Sequence, residues 1–299
     1  MVQHIFSTMP RVAAVIVTFR PDLDRLKQLL AAVEKQVQFS VVVDNGSPTE
    51  NVMRIRQCLA DSQHLIALGE NKGIAAAQNV GLAYARDHRA DYVLLLDQDS
   101  APADGMVEQL LSYFSALSNA GRKVAAIGPR LADERWKSEQ RLKPKGREQE
   151  VANLLEVDHI IASGSVIPME VIGAVGGMKD ELFIDNVDIE WCLRASRHGY
   201  TSFIATNVIM DHQLGEPMNV MGRIIPTHSP MRHYYMVRNT VWLARQPWLS
   251  SRWRYVKVPK IALHLSINAV FARPHREHWR MMLRGLHHGL KGRMGKGHE

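Results

Sequence analysis

The chain has 299 residues, 46% hydrophobic and 22% charged, with two cysteines. This composition excludes wholesale disorder, and Cys58 and Cys192, isolated and without metal-type spacing, exclude a disulfide framework or a thiolate metal centre. The charge is divided: residues 1–220 hold 22 Lys/Arg and 28 Asp/Glu, a net of −6, whereas residues 221–299 hold 15 and 2, a net of +13.

The first ten residues lack a basic start, an apolar run and a small-residue cleavage site, so no signal peptide is expected. No stretch of ~18 apolar residues occurs, so no spanning helix is expected either. With two lone thiols, these features point to a cytoplasmic, reducing setting.

Residues 11–19 (RVAAVIVTF) are apolar and β-branched, the pattern of a strand buried on both faces. After Pro21 and Asp22, helical spacing links Leu23, Leu26, Leu29, Leu30 and Val33. Residues 39–43 form the next strand and run into the turn chemistry of Asp44, Asn45, Gly46, Ser47 and Pro48. A helix over 51–59, a strand over 64–68, a loop through Gly69, Asn71 and Gly73, and an alanine-rich helix over 74–86 follow. Residues 91–96 give another buried strand, ending in Asp97, Gln98, Asp99 and Ser100. The highly charged stretch 130–150 is expected to be a mobile loop, 157–168 a strand, 187–197 a helix, and 201–210 a strand ending at Asp211 and His212. Residues 213–231 read as a loop; the chain is helical from Arg232, with amphipathic basic stretches over 256–272 and 275–290. Strand–helix alternation predicts an α/β fold with a mainly parallel sheet flanked by helices. Ligands of such sheets sit at the carboxyl ends of strands, which directs attention to Thr18, Asp44 and Asp97 to Asp99.

Two carboxylates one residue apart, Asp97 and Asp99, have the spacing to converge on one hard cation, Mg²⁺ or Mn²⁺, beside a diphosphate. A bare D-x-D is also a common solvated turn; its place after a buried strand favours the metal. Asp44 is suited to a base or ribose, or to an Asx turn of its own. Neither a Walker A loop nor a G-x-G-x-x-G after the first strand is present, which disfavours P-loop enzymes and dehydrogenases. Lys72, just before a helix start, is placed to meet phosphate. Asp188 and Glu190 stand near another helix start, where a carboxylate serves either as a general base or as a partner of the helix dipole. His212 is either a metal ligand or structural, one of 14 histidines. Arg238 either grips a diphosphate or belongs to an aromatic helix face with Tyr234 and Tyr235.

In order, the segments AAVIVTF (13–19), VVVDNGS (41–47), NKGIAAAQNVGL (71–82), LLLDQDS (94–100), ASG (162–164), ELFIDNVDIEWCLR (181–194), MDH (210–212) and YYMVRN (234–239) resemble the GT-A glycosyltransferases of family 2. DQDS with FIDNVDIEW is similar to bacterial rhamnosyltransferases that use dTDP-L-rhamnose. The resemblance implies a GT-A domain over residues 1–240 and an inverting, metal-dependent transfer. It puts Thr18, Asp44 and Lys72 around the nucleotide, Asp97 at its ribose or diphosphate, Asp99 and His212 on the metal, and Arg238 and Asn239 at the diphosphate. It puts Asp188 at the catalytic base; Val187 precedes it where many relatives carry Glu-Asp, so Asp185 and Glu190 are rivals. The implied partners are a nucleotide-sugar donor and a saccharide or lipid-linked acceptor, without nucleic acid. UDP-galactofuranose as donor, a sugar nucleotidyltransferase and a non-catalytic nucleotide-sugar binder are the alternatives. Residues 241–299 form a separate basic helical segment in this reading, expected to rest on an anionic membrane surface such as the inner face of the cell membrane.

Overall fold

The computed structural model describes residues 10–132, 146–212, 215–220 and 223–297. Most of the charged stretch expected to be a mobile loop, 133–145, lies outside these residues.

The first half alternates regularly: β1 (Val12–Thr18), α1 (Leu23–Glu34), β2 (Phe39–Asp44), α2 (Thr49–Gln57), β3 (Gln63–Ala67), α3 (Ile74–Asp87) and β4 (Tyr92–Asp97). All seven residues of β1 are buried because both faces of the strand are covered. Val12, Ala14 and Ile16 share a core with Leu26, Leu29 and Leu30 of α1. Ala13, Val15 and Val17 share the opposite core with Ala77, Leu82 and Ala85 of α3. Asp22 starts α1 by accepting from the backbone N–H of Asp24 and Arg25.

The middle of the chain holds β5 (Ala101–Pro102), α4 (Met106–Asn119), β6 (Val124–Ala132), β7 (Arg147–Glu148), β8 (Leu154–Val157), β9 (Val166–Pro168), α5 (Met169–Val175), α6 (Val187–Arg197) and β10 (Thr201–Asp211). The large sheet has the order β3-β2-β1-β4-β9-β6-β10-β8-β7, with β5 on β10. Its longest ladders, β3-β2-β1-β4 and β6-β10, are parallel, and β9 is inserted antiparallel between the two blocks. The fold is therefore α/β with a mainly parallel sheet between helical layers, as expected.

Three local readings need correction. No element was assigned to 101–129, yet α4 and β6 lie there, with Leu110, Phe114 and Ile127 in the core. The strand expected over 157–168 is two short strands, separated by a turn in which Ser165 N–H bonds to Ala162 O. The loop expected over 213–231 contains an antiparallel hairpin, β11 (Glu216–Val220) with β12 (Arg223–Thr227).

The chain ends in α7 (Pro230–Ala244), α8 (Val258–Phe271) and α9 (His275–Lys291). Ser229 caps α7 and Pro230 opens it. α9 lies against α7 through Gly285 and Gly289, where a Cβ would stand 2.4 Å from Tyr234 O and 2.7 Å from Arg238 O. Helices approach this closely only where side chains are missing. Among the described residues, no helix is long and apolar enough to cross a membrane. We predict that Gly285→Leu forces α9 off α7 and destabilises the protein by about 1–3 kcal/mol. A denaturant midpoint equal to wild type would contradict this packing.

Candidate active site

The parallel registers bring the first strand tips level: Thr18 pairs with Asp44 across β1 and β2, and Val17 with Asp97 across β1 and β4. Thr18 and Asp44 are fully buried. Asp44 accepts from Thr18 Oγ1 (3.1 Å), Ser47 Oγ (2.6 Å) and Ser47 N (2.8 Å). Both side chains thus fix the β2 turn, and neither opens to the cleft. Asn45 extends the turn to the next loop, accepting from Lys72 N at 2.9 Å and donating to Asn71 Oδ1 at 3.2 Å. Lys72 itself is exposed, with its ammonium 3.8 Å from Glu70. The start of α3 is already occupied, because Ile74 N donates to Phe183 O at 2.7 Å. Gln98, between the two aspartates, accepts from Phe19 N at 2.7 Å and ties that segment to the tip of β1.

Asp97, Asp99 and His212 come together as the sequence reading required. The cause is β5: immediately after Asp99 the chain pairs antiparallel with the end of β10, placing Ala101 opposite Asp211. His212 follows, its backbone N–H held by Ala132 O at 2.9 Å. Ligand-type atoms of the three side chains lie within 4.8 Å of one another, and His212 Nε2 stands 3.9 Å from Asp97 Oδ2. Two carboxylates and an imidazole form a donor set for a hard or borderline divalent cation with positions left for phosphate oxygens. Without a cation, burial drives the Asp97 pKa up to about 6, with Asp99 and Asp188 adding to the rise and His212 opposing it.

Behind this trio stands the amino end of α6. Asp188 lies in its first turn, accepts from Ile189 N at 2.8 Å, and lines an apolar recess with Ile160, Ala162 and Trp191. Burial raises its pKa, opposed by His159 and by the Ile189 N–H and reinforced by Asp185. The three acids considered as base are distinct in structure. Glu190 is buried and paired with Arg194 through two bonds of 2.9 Å. Asp185 is held by Arg232 at 2.5 and 3.4 Å. Among the described residues, Asp188 alone of the three has no basic partner within salt-bridge distance, with His159 as its main electrostatic counterweight. Arg232, which the sequence reading missed, is the cation facing this group. Burial opposes its charge, but Asp185, Asp97 and Asp188 outweigh burial and raise its pKa. His228, pushed down to about 4 by burial and the nearby guanidinium, is neutral and steadies Arg232 Nη1 at 3.3 Å.

Arg238 and Asn239, expected at the diphosphate, are instead fully buried. Asn239 Nδ2 donates to the carbonyls of Leu182, Ile184 and Asp185 at 2.8–2.9 Å. Arg238 donates to Leu182 O, Glu181 O, Gly295 O and Asn239 Oδ1. These bonds clamp a contorted loop: Phe183, Asp185 and Asn186 have φ of 65°, 64° and 61°, and Ile184 N closes a three-residue turn onto Leu182 O at 2.8 Å. Left-handed non-glycine residues each cost roughly 1–3 kcal/mol and persist only where surroundings fix them. The pair therefore positions Asp185 and Asp188 from behind.

An aspartate whose pKa rises on folding binds its proton more tightly in the native state. Above its ordinary value of 3.8, stability therefore falls as pH rises through the raised pKa. Asp188→Asn keeps the shape and removes the charge. In metal-free buffer its thermal midpoint should exceed that of wild type by more at about pH 8 than at about pH 4. A gap that shrinks with rising pH would contradict the assignment of Asp188 as a carboxylate whose burial outweighs its stabilising partners.

Comparison with known proteins bears on this arrangement. Glycosyl transferase family 2 matches residues 14–176, more than half the chain. The dTDP-rhamnosyl transferase RfbF of Shigella flexneri is 36% identical over 245 residues, covering 78% of this chain and 79% of that protein. The low-salt glycan biosynthesis hexosyltransferase Agl10 of Haloferax volcanii is 27% identical over 197 residues, covering 61% of each chain. Among solved structures, GalNAc-T7 with UDP, GalNAc and Mn²⁺ superposes with a TM-score of 0.55 at 13% identity; 90% of this chain is covered, spanning 59% of that one. S. aureus TarS 1-349 in complex with UDP-GlcNAc gives 0.55 at 14% identity, covering 94% and 81%. These two likenesses establish the GT-A fold, and the sequence matches establish the family: the chain belongs to glycosyl transferase family 2.

Proposed function

We propose that the chain transfers L-rhamnose from dTDP-L-rhamnose to a hydroxyl of a saccharide or lipid-linked acceptor, with inversion, during cell-surface glycan or glycolipid synthesis on the cytoplasmic side of a membrane. The observation that carries this reading is the convergence of Asp97, Asp99 and His212 beside the buried Asp188, whose pKa burial raises. The likeness to the Shigella dTDP-rhamnosyl transferase supports the donor.

In this scheme Asp97, Asp99 and His212 hold Mg²⁺ or Mn²⁺. The cation supplies charge neutralisation for the departing nucleoside diphosphate. Arg232 takes the diphosphate role first given to Arg238, since its guanidinium faces the acids and Arg238 does not. Thr18, Asp44 and Lys72 frame the nucleotide, the first two by shaping the β2 turn. Asp188 accepts the proton of the acceptor hydroxyl as its oxygen bonds to the anomeric carbon and the bond from that carbon to the diphosphate oxygen breaks. A pKa raised by burial makes Asp188 a stronger base than an exposed aspartate, and its apolar recess keeps water from competing.

The test is a donor screen with Mg²⁺ or Mn²⁺ that reads released nucleoside diphosphate. dTDP-L-rhamnose should give the highest turnover, and EDTA should abolish it. Asp99→Ala and Asp188→Asn should each lower kcat by at least about 10²-fold, Asp188→Asn with donor affinity retained; Arg232→Ala should weaken donor binding as well. A UDP-sugar as the preferred donor would revise the donor and keep the fold. Released pyrophosphate, or full activity of Asp99→Ala, would overturn the scheme.

A further inference from the structure

α9 has three distinct faces. Met281, Met282, Gly285 and Gly289 point into the protein. Trp279, Leu283, Leu286 and Leu290 recur at steps of four, three and four residues and so form one stripe along the helix, yet they are 40–57% exposed. Next to the stripe run Arg276, Arg280, His287 and Lys291, all exposed. Glu277 is the sole acid between residues 275 and 297. α8 adds Leu263 and Val270, seven residues apart, and Phe271 leads from it toward α9.

An apolar stripe of this size is not left open to water without a partner. Three kinds of partner compete, and the charge separates them. A second copy of the chain would set Arg276, Arg280 and Lys291 against their own like charges. A nucleic acid would use the cations and leave four large apolar side chains in water. A bilayer with anionic headgroups satisfies both faces: the stripe enters the acyl boundary and the cations meet phosphates. The helix is also well anchored for such a role, fixed on its inner side to α7 through Gly285 and Gly289.

We propose that α9, assisted by α8, docks the protein on an anionic bilayer surface. The docking surface is tied to the site: Arg252 and Lys257, ahead of α8, pair with Asp158 at 3.4 and 3.1 Å. Trp253 packs edge-on against His159, whose ring is an electrostatic neighbour of Asp188. The proposal rests on the reading above in one respect only: it names the surface at which that transfer takes place.

The full-length chain is sedimented with vesicles of phosphatidylcholine alone or with about a third phosphatidylglycerol. Binding should need the anionic lipid and weaken with added salt. The pair Arg280→Glu and Lys291→Glu should lower partitioning at least about tenfold, and the pair Leu283→Asp and Leu286→Asp should abolish it. Because all four side chains are exposed, the thermal midpoint and the rate of transfer to a soluble acceptor without vesicles should stay at wild-type values. Absence of wild-type binding, equal binding to neutral vesicles, unchanged binding by both pairs, or a dimer in sedimentation equilibrium that Leu283→Asp dissociates would each overturn the proposal. A protein that transfers sugar without binding vesicles refutes docking alone; one that binds vesicles without transferring any sugar refutes the function alone.

Discussion

Asp97, Asp99, Asp185 and Asp188 come from the end of β4 and the approach to α6 and gather in one partly buried corner of the protein. Like charges at separations near those of the Asp97, Asp99 and His212 donor atoms, within 4.8 Å, repel by roughly 3 kcal/mol per pair at an effective dielectric of about 20. Arg232 offsets part of this through Asp185, and His212 faces Asp97. Burial raises the pKa values of Asp97 and Asp188, and the neighbouring carboxylates add to the rise. In the proposed scheme a divalent cation would offset this negative charge and leave room for an anionic diphosphate, so the repulsion that weakens the unliganded fold would favour binding of the metal.

Such a group has to be held in place, and much of the surrounding architecture does this. β5 carries Asp97 and Asp99 to His212 through two residues of antiparallel pairing. Asp44 and its hydroxyl partners stiffen the neighbouring strand tip, and Gln98 latches onto Phe19. On the far side, Asn239 and Arg238 clamp carbonyls of residues 181–185 and sustain three left-handed residues ahead of α6. α9 covers this clamp, and Gly295 beyond it accepts from Arg238. The C-terminal helices therefore contribute to active-site order as well as to the surface.

The strand tips were legible in the sequence because β1, β2 and β4 are buried on both faces, which writes them as continuous apolar runs ending abruptly in Thr18, Asp44 and Asp97. The meeting of Asp97, Asp99 and His212 was legible through the family resemblance, not through spacing: His212 lies 115 positions after Asp97 and joins it only through the non-local pairing of β5 with β10. The burial of Arg238 and Asn239 was not legible, because a sequence does not show which polar side chains face inward to bind main-chain carbonyls. Arg232, six residues earlier on the same helix, has the open position. The break between β8 and β9 falls at Ser163, Gly164 and Ser165, a turn signal set between the apolar pieces Ile160–Ala162 and Val166–Pro168, and the surrounding apolarity alone does not mark where a strand leaves the sheet.

The most direct test of the central claim is pulsed electron paramagnetic resonance of Mn²⁺ bound to the protein with dTDP. The account predicts one histidine nitrogen coupled to the metal, its signal lost in His212→Ala, and no bound Mn²⁺ in Asp99→Ala. A nitrogen coupling that survives removal of His212, or Mn²⁺ binding undiminished without Asp99, would contradict it.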